Sequence, residues 1–110
     1  MSMNTRTSFT VRMKKYELAL EKREAAEGEK YVPYTVTVRV DGSEKNGTVR
    51  GTLQFTPAAI EAAQKRSAQK GGSPEDLLAA AAARSLSAEI IVRKLKPDFS
   101  FVVDHRWLPD

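Results

Sequence analysis

Residues 34–55 read YTVTVRVDGSEKNGTVRGTLQF, and their alternation decides the fold class. Tyr34, Val36, Val38 and Val40 are apolar, with Thr35, Thr37, Arg39 and Asp41 between them. Val49, Gly51, Leu53 and Phe55 then alternate in the same way with Thr48, Arg50, Thr52 and Gln54. A period of two sends one set of side chains to a core face and the other to water, and the β-branched residues favour an extended chain. The turn signals Asp41-Gly42 and Asn46-Gly47 lie between the two runs, so the segment predicts a β-hairpin with a short flexible tip. Pro33 precedes the first run, where a missing N–H does least harm to a strand.

Toward the N-terminus, Phe9, Val11 and Met13 alternate with Thr10, Arg12 and Lys14, which predicts a strand. The alternation then moves to even numbers at Tyr16, Leu18 and Leu20. We read this slip as a β-bulge at Lys14 and Lys15. The alternative is a helix starting near there, with Met13, Tyr16 and Leu20 at helical spacing and helix formers through Ala26. Residues 1–7 are expected to form a disordered tail and residues 8–110 a single domain.

Toward the C-terminus the pattern becomes helical at Thr56-Pro57, a good N-cap followed by a proline pre-set for the first helical position. This first helix has Ile60 as its only large apolar residue and ends at Gly71-Gly72, so it is expected to pack loosely through alanines. Ser73-Pro74-Glu75-Asp76 opens a second helix, expected to run to about Leu95. Leu77, Ala81, Ala88 and Leu95 form one stripe, with Leu78, Ser85 and Val92 beside it, while Leu86 and Ile90 fall on roughly the opposite side. A helix apolar on two sides is either covered twice within its own chain or meets another subunit. Lys96-Pro97 stops it, and Phe99, Phe101, Val103, His105 and Trp107 are expected on one face of a final strand. The sum is an α+β two-layer sandwich: an antiparallel meander of two or three strands, two helices on one face, and a C-terminal strand.

The composition excludes several chemistries. The chain has 110 residues, 18 Lys+Arg against 14 Asp+Glu, one His and no Cys. No thiolate nucleophile, disulfide or iron–sulfur cluster is possible, and a zinc site would need the one His plus carboxylates. We expect no metal and no cofactor. No run of about 18 apolar residues is present and the N-terminus has no signal-peptide core, so a cytoplasmic protein without a membrane partner is expected.

A catalytic centre is not legible either. Ser100, Asp104 and His105 make a poor serine triad if residues 104 and 105 lie on a strand, where neighbours point to opposite faces. No carboxylate pair stands out for acid–base work. The 41–47 loop lies between strands, unlike a phosphate-cradling loop, which precedes a helix. Gly71-Gly72-Ser73-Pro74 does precede a helix, with Lys70 close by, and offers backbone N–H groups to an anion.

Ser73-Pro74-Glu75-Asp76-Leu77-Leu78, the alanine-rich helix and the short strand through residue 103 resemble the central segment of the OsmC/Ohr peroxide-reducing proteins. The resemblance covers less than a third of the chain. It implies a reactive cysteine on this helix, at the position held here by Ser85, so the peroxidase chemistry does not carry over. The helix over 57–70 also departs from that family's pattern.

Two functions remain as expectations. The first is a non-enzymatic interaction or assembly module, a homo-oligomer joined through Leu86 and Ile90. The second is a nucleic-acid accessory protein. Residues 1–16 hold Arg6, Arg12, Lys14 and Lys15 and no acid. Lys65, Arg66 and Lys70 form another acid-free group, and Arg39 and Arg50 sit on the wet side of the hairpin. Candidate contacts are Arg12, Lys14, Lys15, Arg39, Arg50, Lys65, Arg66 and Lys70, with Tyr31 available to stack on a base.

Overall fold

The computed structural model describes residues 4–25, 27–40, 48–92 and 95–109. Along the chain these form β1 (Asn4–Val11), β2 (Lys14–Lys22), β3 (Val32–Val40), β4 (Thr48–Phe55), α1 (Pro57–Lys70), α2 (Pro74–Val92), β5 (Phe99–Val103) and a 3-10 turn (His105–Trp107). The five strands make one sheet in sequence order, antiparallel from β1 to β4, with β5 parallel to β4. Two helices on one face of this mixed sheet complete an α+β architecture. The parallel last strand follows from the connection, since α1 and α2 carry the chain back across the sheet before β5 begins.

The hairpin pairs in the expected register, with Tyr34 opposite Leu53, Val36 opposite Gly51 and Val38 opposite Val49. Its tip, residues 41–47, lies outside the described residues.

The N-terminal half departs from expectation. The slip at residues 14 and 15 is neither a bulge nor a helix start but a second hairpin, in which Val11 pairs with Lys14 across a two-residue turn. Arg12 and Met13 both take positive φ, 51° and 68°, the signature of the type I′ turn whose twist suits antiparallel strands. Each residue there gives up about 1 kcal/mol of intrinsic preference, which the strand pairs on either side offset. The meander therefore has four strands. β1 begins at Asn4, so residues 4–7, expected in a tail, are strand, and residues 1–3 lie outside the described residues.

All inward residues share one face. Leu18, Leu20, Tyr34, Val36, Val38, Leu53, Phe55, Phe99 and Val103 are buried there, with Phe9 stacked on Tyr16 and Tyr34 set edge-on to Phe55. Each large side chain removed from water in this way contributes about 1.5–3 kcal/mol. α1 buries only Ala59 and Ala63, in line with its expected light packing. α2 buries Leu78, Ala79, Ala81, Ala82, Ala83, Ser85 and Leu86, and it lies between β1 on one side and α1 on the other. Both of its apolar sides are thus covered by its own chain over that stretch. It is described as far as Val92, short of Leu95, and residues 93–94 lie outside the described residues.

The last strand is shorter than its sequence pattern suggests. β5 stops at Val103, and Asp104 caps the 3-10 turn by accepting the His105 N–H at 2.7 Å. His105 and Trp107 accordingly leave the strand and its face.

Candidate functional site

One face of the sheet meets the helices, and the other is left to solvent. Its side chains are set by the strand pairing. Arg6, Ala19, Thr37 and Arg50 lie in one row across β1, β2, β3 and β4, and Ser8, Glu17, Arg39 and Thr48 lie in the next. Glu21, Thr35 and Thr52 make a third row on the other side of the first. The small residues in the middle leave a depression of about 310 Å³ lined by Arg6, Ala19, Glu21, Thr35, Thr37 and Arg50, among others. Arg6 and Arg50 stand at its two flanks, three strand spacings or about 14 Å apart at the backbone.

Among the described residues the charge on this face is unpaired. By strand parity Arg6, Lys15, Arg39 and Arg50 point outward, as do Glu17 and Glu21, and none of these six forms an ion pair with a described residue. Cations exceed acids, and threonine hydroxyls fill the space between them. No aromatic residue occupies an outward position of β1–β5 among the described residues, because alternation has placed the strand aromatics inside. The face can therefore hold anionic oxygens through guanidinium and hydroxyl groups, and it has no ring on which a base could stack.

The other expected cationic contacts are dispersed. Arg12, at the β1–β2 turn, donates to the Ile91 carbonyl at 3.2 Å and so closes the C-terminal end of α2. Lys14 is exposed at the start of β2. Lys65 pairs with Glu61 at 3.0 Å along α1, and Arg66 donates to the Pro109 carbonyl at 2.6 Å, a bond that ties the C-terminal residues to the helix layer. Lys70 is exposed at the end of α1. Of the eight candidate contacts, Lys15, Arg39 and Arg50 meet on the open face, and Arg6, not among them, joins them there. Arg6 belongs to the basic N-terminal segment of the sequence but falls in residues 1–7, expected to be disordered, and so is not among the candidate contacts. Tyr31 precedes β3 and is 38% exposed.

Leu86 is 0% exposed and sits in the core, so it offers no surface for a second subunit. Ile90 is half-buried, while Ile91 and Val92 beyond it are exposed.

Asp104 and His105 do touch, contrary to the strand argument, because the chain turns between them: His105 Nδ1 lies 2.8 Å from Asp104 Oδ1. Thr56 donates its hydroxyl to the same oxygen at 3.2 Å and accepts the Ala59 N–H at 3.1 Å. The carboxylate is the centre of this cluster, whereas nucleophilic catalysis needs the imidazole between hydroxyl and acid. The cluster is a joint between the α1 N-cap and the C-terminal turn. The His105 backbone N–H, then its ring and Thr56, hold the Asp104 carboxyl below the usual carboxylate range. At the α2 N-terminus, Ser73 accepts the Glu75 N–H at 3.2 Å and donates to the Glu75 carboxylate at 2.6 Å. The Asp76 and Leu77 N–H groups donate to the Ser73 carbonyl, so Ser73 itself takes the backbone donors suggested for an external anion.

Ser85, at the position where the resemblance would put a cysteine, is enclosed on α2. Among the described residues no group of three or more His, Asp or Glu side chains is placed to hold a metal ion, and no helix is long and apolar enough to cross a membrane. No family model matches the chain, and neither a curated protein nor a solved structure matches it significantly.

Proposed function

We propose that this protein is a non-enzymatic binding module of the cytoplasm that holds the phosphate backbone of nucleic acid on the open face of its sheet. The observation that carries the reading is the set of Arg6, Lys15, Arg39 and Arg50 on one solvent-facing surface, without ion-pair partners among the described residues, with Arg6 and Arg50 lining a threonine-bearing depression. Unpaired guanidinium groups recognise phosphate through charge and paired N–H donors, and each phosphate neutralised releases counterions. With no aromatic platform on the face, contact is made to the backbone and sequence preference is weak.

The test is fluorescence anisotropy with labelled oligouridylate and a mixed-sequence RNA of equal length, over a range of salt. Both are expected to bind with similar affinity that falls steeply with salt. The Arg6→Ala/Arg39→Ala/Arg50→Ala variant should lose most of the affinity and lower the log–log salt slope by about 2, near 0.7 per lost contact. Lys70→Ala, on the helix layer, should change little. Absence of binding at low salt, or a triple variant that binds like the parent, overturns the reading.

A further inference from the structure

The two edges of the sheet are unequal. β1, at one edge, has α2 packed along it and carries Arg6. β5, at the other, has no strand beyond it among the described residues and reads Phe-Ser-Phe-Val-Val, without a charge, a proline or a bulge. Those are the devices by which sheets protect an exposed edge from further pairing.

The main-chain direction on β5 is set by its neighbour. The Thr56 N–H donates to the Val103 carbonyl at 3.2 Å on the β4 side. A residue's N–H and C=O point to the same side of a strand and adjacent residues alternate, so the polar groups of Ser100 and Val102 turn away from β4. Beside them, Val102 is 50% exposed and Phe101 only half-buried.

We infer that the β5 edge is the contact between two copies of this chain, paired antiparallel about a two-fold axis perpendicular to the sheet. In this pairing Ser100 of each copy exchanges N–H···O bonds with Val102 of the other, and Phe101 lies opposite Phe101 of the second copy. The register pairs the strand with itself: no charged side chain lies within residues 99–103, and the exposed Val102 and half-buried Phe101 both border the contact. A two-fold axis perpendicular to the sheet keeps both open faces on one side, so the pair presents one continuous ten-stranded surface. This contact does not depend on the nucleic-acid reading, and either can fail without the other. Two five-residue strands form a small interface, so the dimer is weak.

Sedimentation velocity over a wide range of protein concentration tests the inference without nucleic acid. The protein is expected to shift from monomer to dimer, and Val102→Lys, which sets a charge on the exposed edge, to weaken dimerisation at least tenfold. Circular dichroism on the same variant establishes that it remains folded, and Ser100→Lys provides a second variant at an exposed position. In hydrogen exchange, residues 99–103 should gain protection as concentration rises. A protein that stays monomeric at the highest concentration overturns the inference, as does a dimer that survives both substitutions unweakened.

Discussion

Substituting Gly51 by Ala tests how β5 is held to the sheet. Gly51 faces the core side of β4, opposite Val36 on β3 and Phe99 on β5. A Cβ built there would lie 2.5 Å from Cδ1 and Cδ2 of the Phe99 ring, so the ring lies over the space that glycine leaves empty. The ring has little room to retreat, being 8% exposed and stacked at 5.7 Å on Phe101. Overpacking of this kind costs about 1–3 kcal/mol, and the upper end applies because a whole ring must move. Against it stands a gain of about 0.5–1 kcal/mol, the usual benefit of replacing a strand glycine by alanine. The net expectation is a loss of about 2 kcal/mol, or about 10 °C in Tm for a domain of this size. Urea and thermal unfolding followed by circular dichroism measure it. In a Phe99→Leu background the same substitution should cost at least 1 kcal/mol less, since neighbours in contact couple. If Gly51→Ala leaves the protein equally or more stable, the ring does not occupy that space and the account of the β4–β5 joint is wrong.

Two further outcomes follow from the packing and the C-terminal joint. Leu86→Lys should unfold the protein, at a cost above about 3 kcal/mol for an unpaired charge in the core; a folded variant that merely changes oligomeric state by light scattering would return Leu86 to the surface. Asp104 has a folded pKa below its unfolded one, so its stabilisation is present above about pH 4 and is lost as the pH falls through the lowered folded value. Asp104→Asn should therefore flatten the acid limb of a stability–pH curve, measured by urea unfolding at each pH, and an unchanged limb would remove the carboxylate from the joint.

The parts of the fold that were legible in the sequence are those where a local rule and the tertiary outcome agree. Residues 34–55 alternate strictly, and the strands pair in the register that alternation requires. Thr56-Pro57 capped a helix as capping rules require. The N-terminal hairpin was hidden because its turn is Arg12-Met13, two residues with no intrinsic preference for positive φ, in place of the usual Asn-Gly. Only the change of parity between Val11 and Tyr16 signalled it, and a bulge gives the same signal. The end of β5 was hidden because alternation continues through His105 and Trp107 although Asp104 turns the chain. Leu86 and Ile90 share a helix side, but the sequence does not say that Leu86 is enclosed within its own chain. The open face was half legible: Arg39 and Arg50 came from the hairpin, whereas Arg6 needed β1 to be recognised as a strand.

The central claim is that the open face of the sheet binds nucleic-acid phosphates. A ¹⁵N-edited NMR titration with oligouridylate locates binding residue by residue. The account predicts shifts concentrated at outward positions of β1–β4, around Arg6, Ala19, Thr37 and Arg50, with Lys65, Lys70 and the Asp104–His105 joint unmoved. Shifts centred on α1, or a spectrum that does not change at low salt, would contradict it.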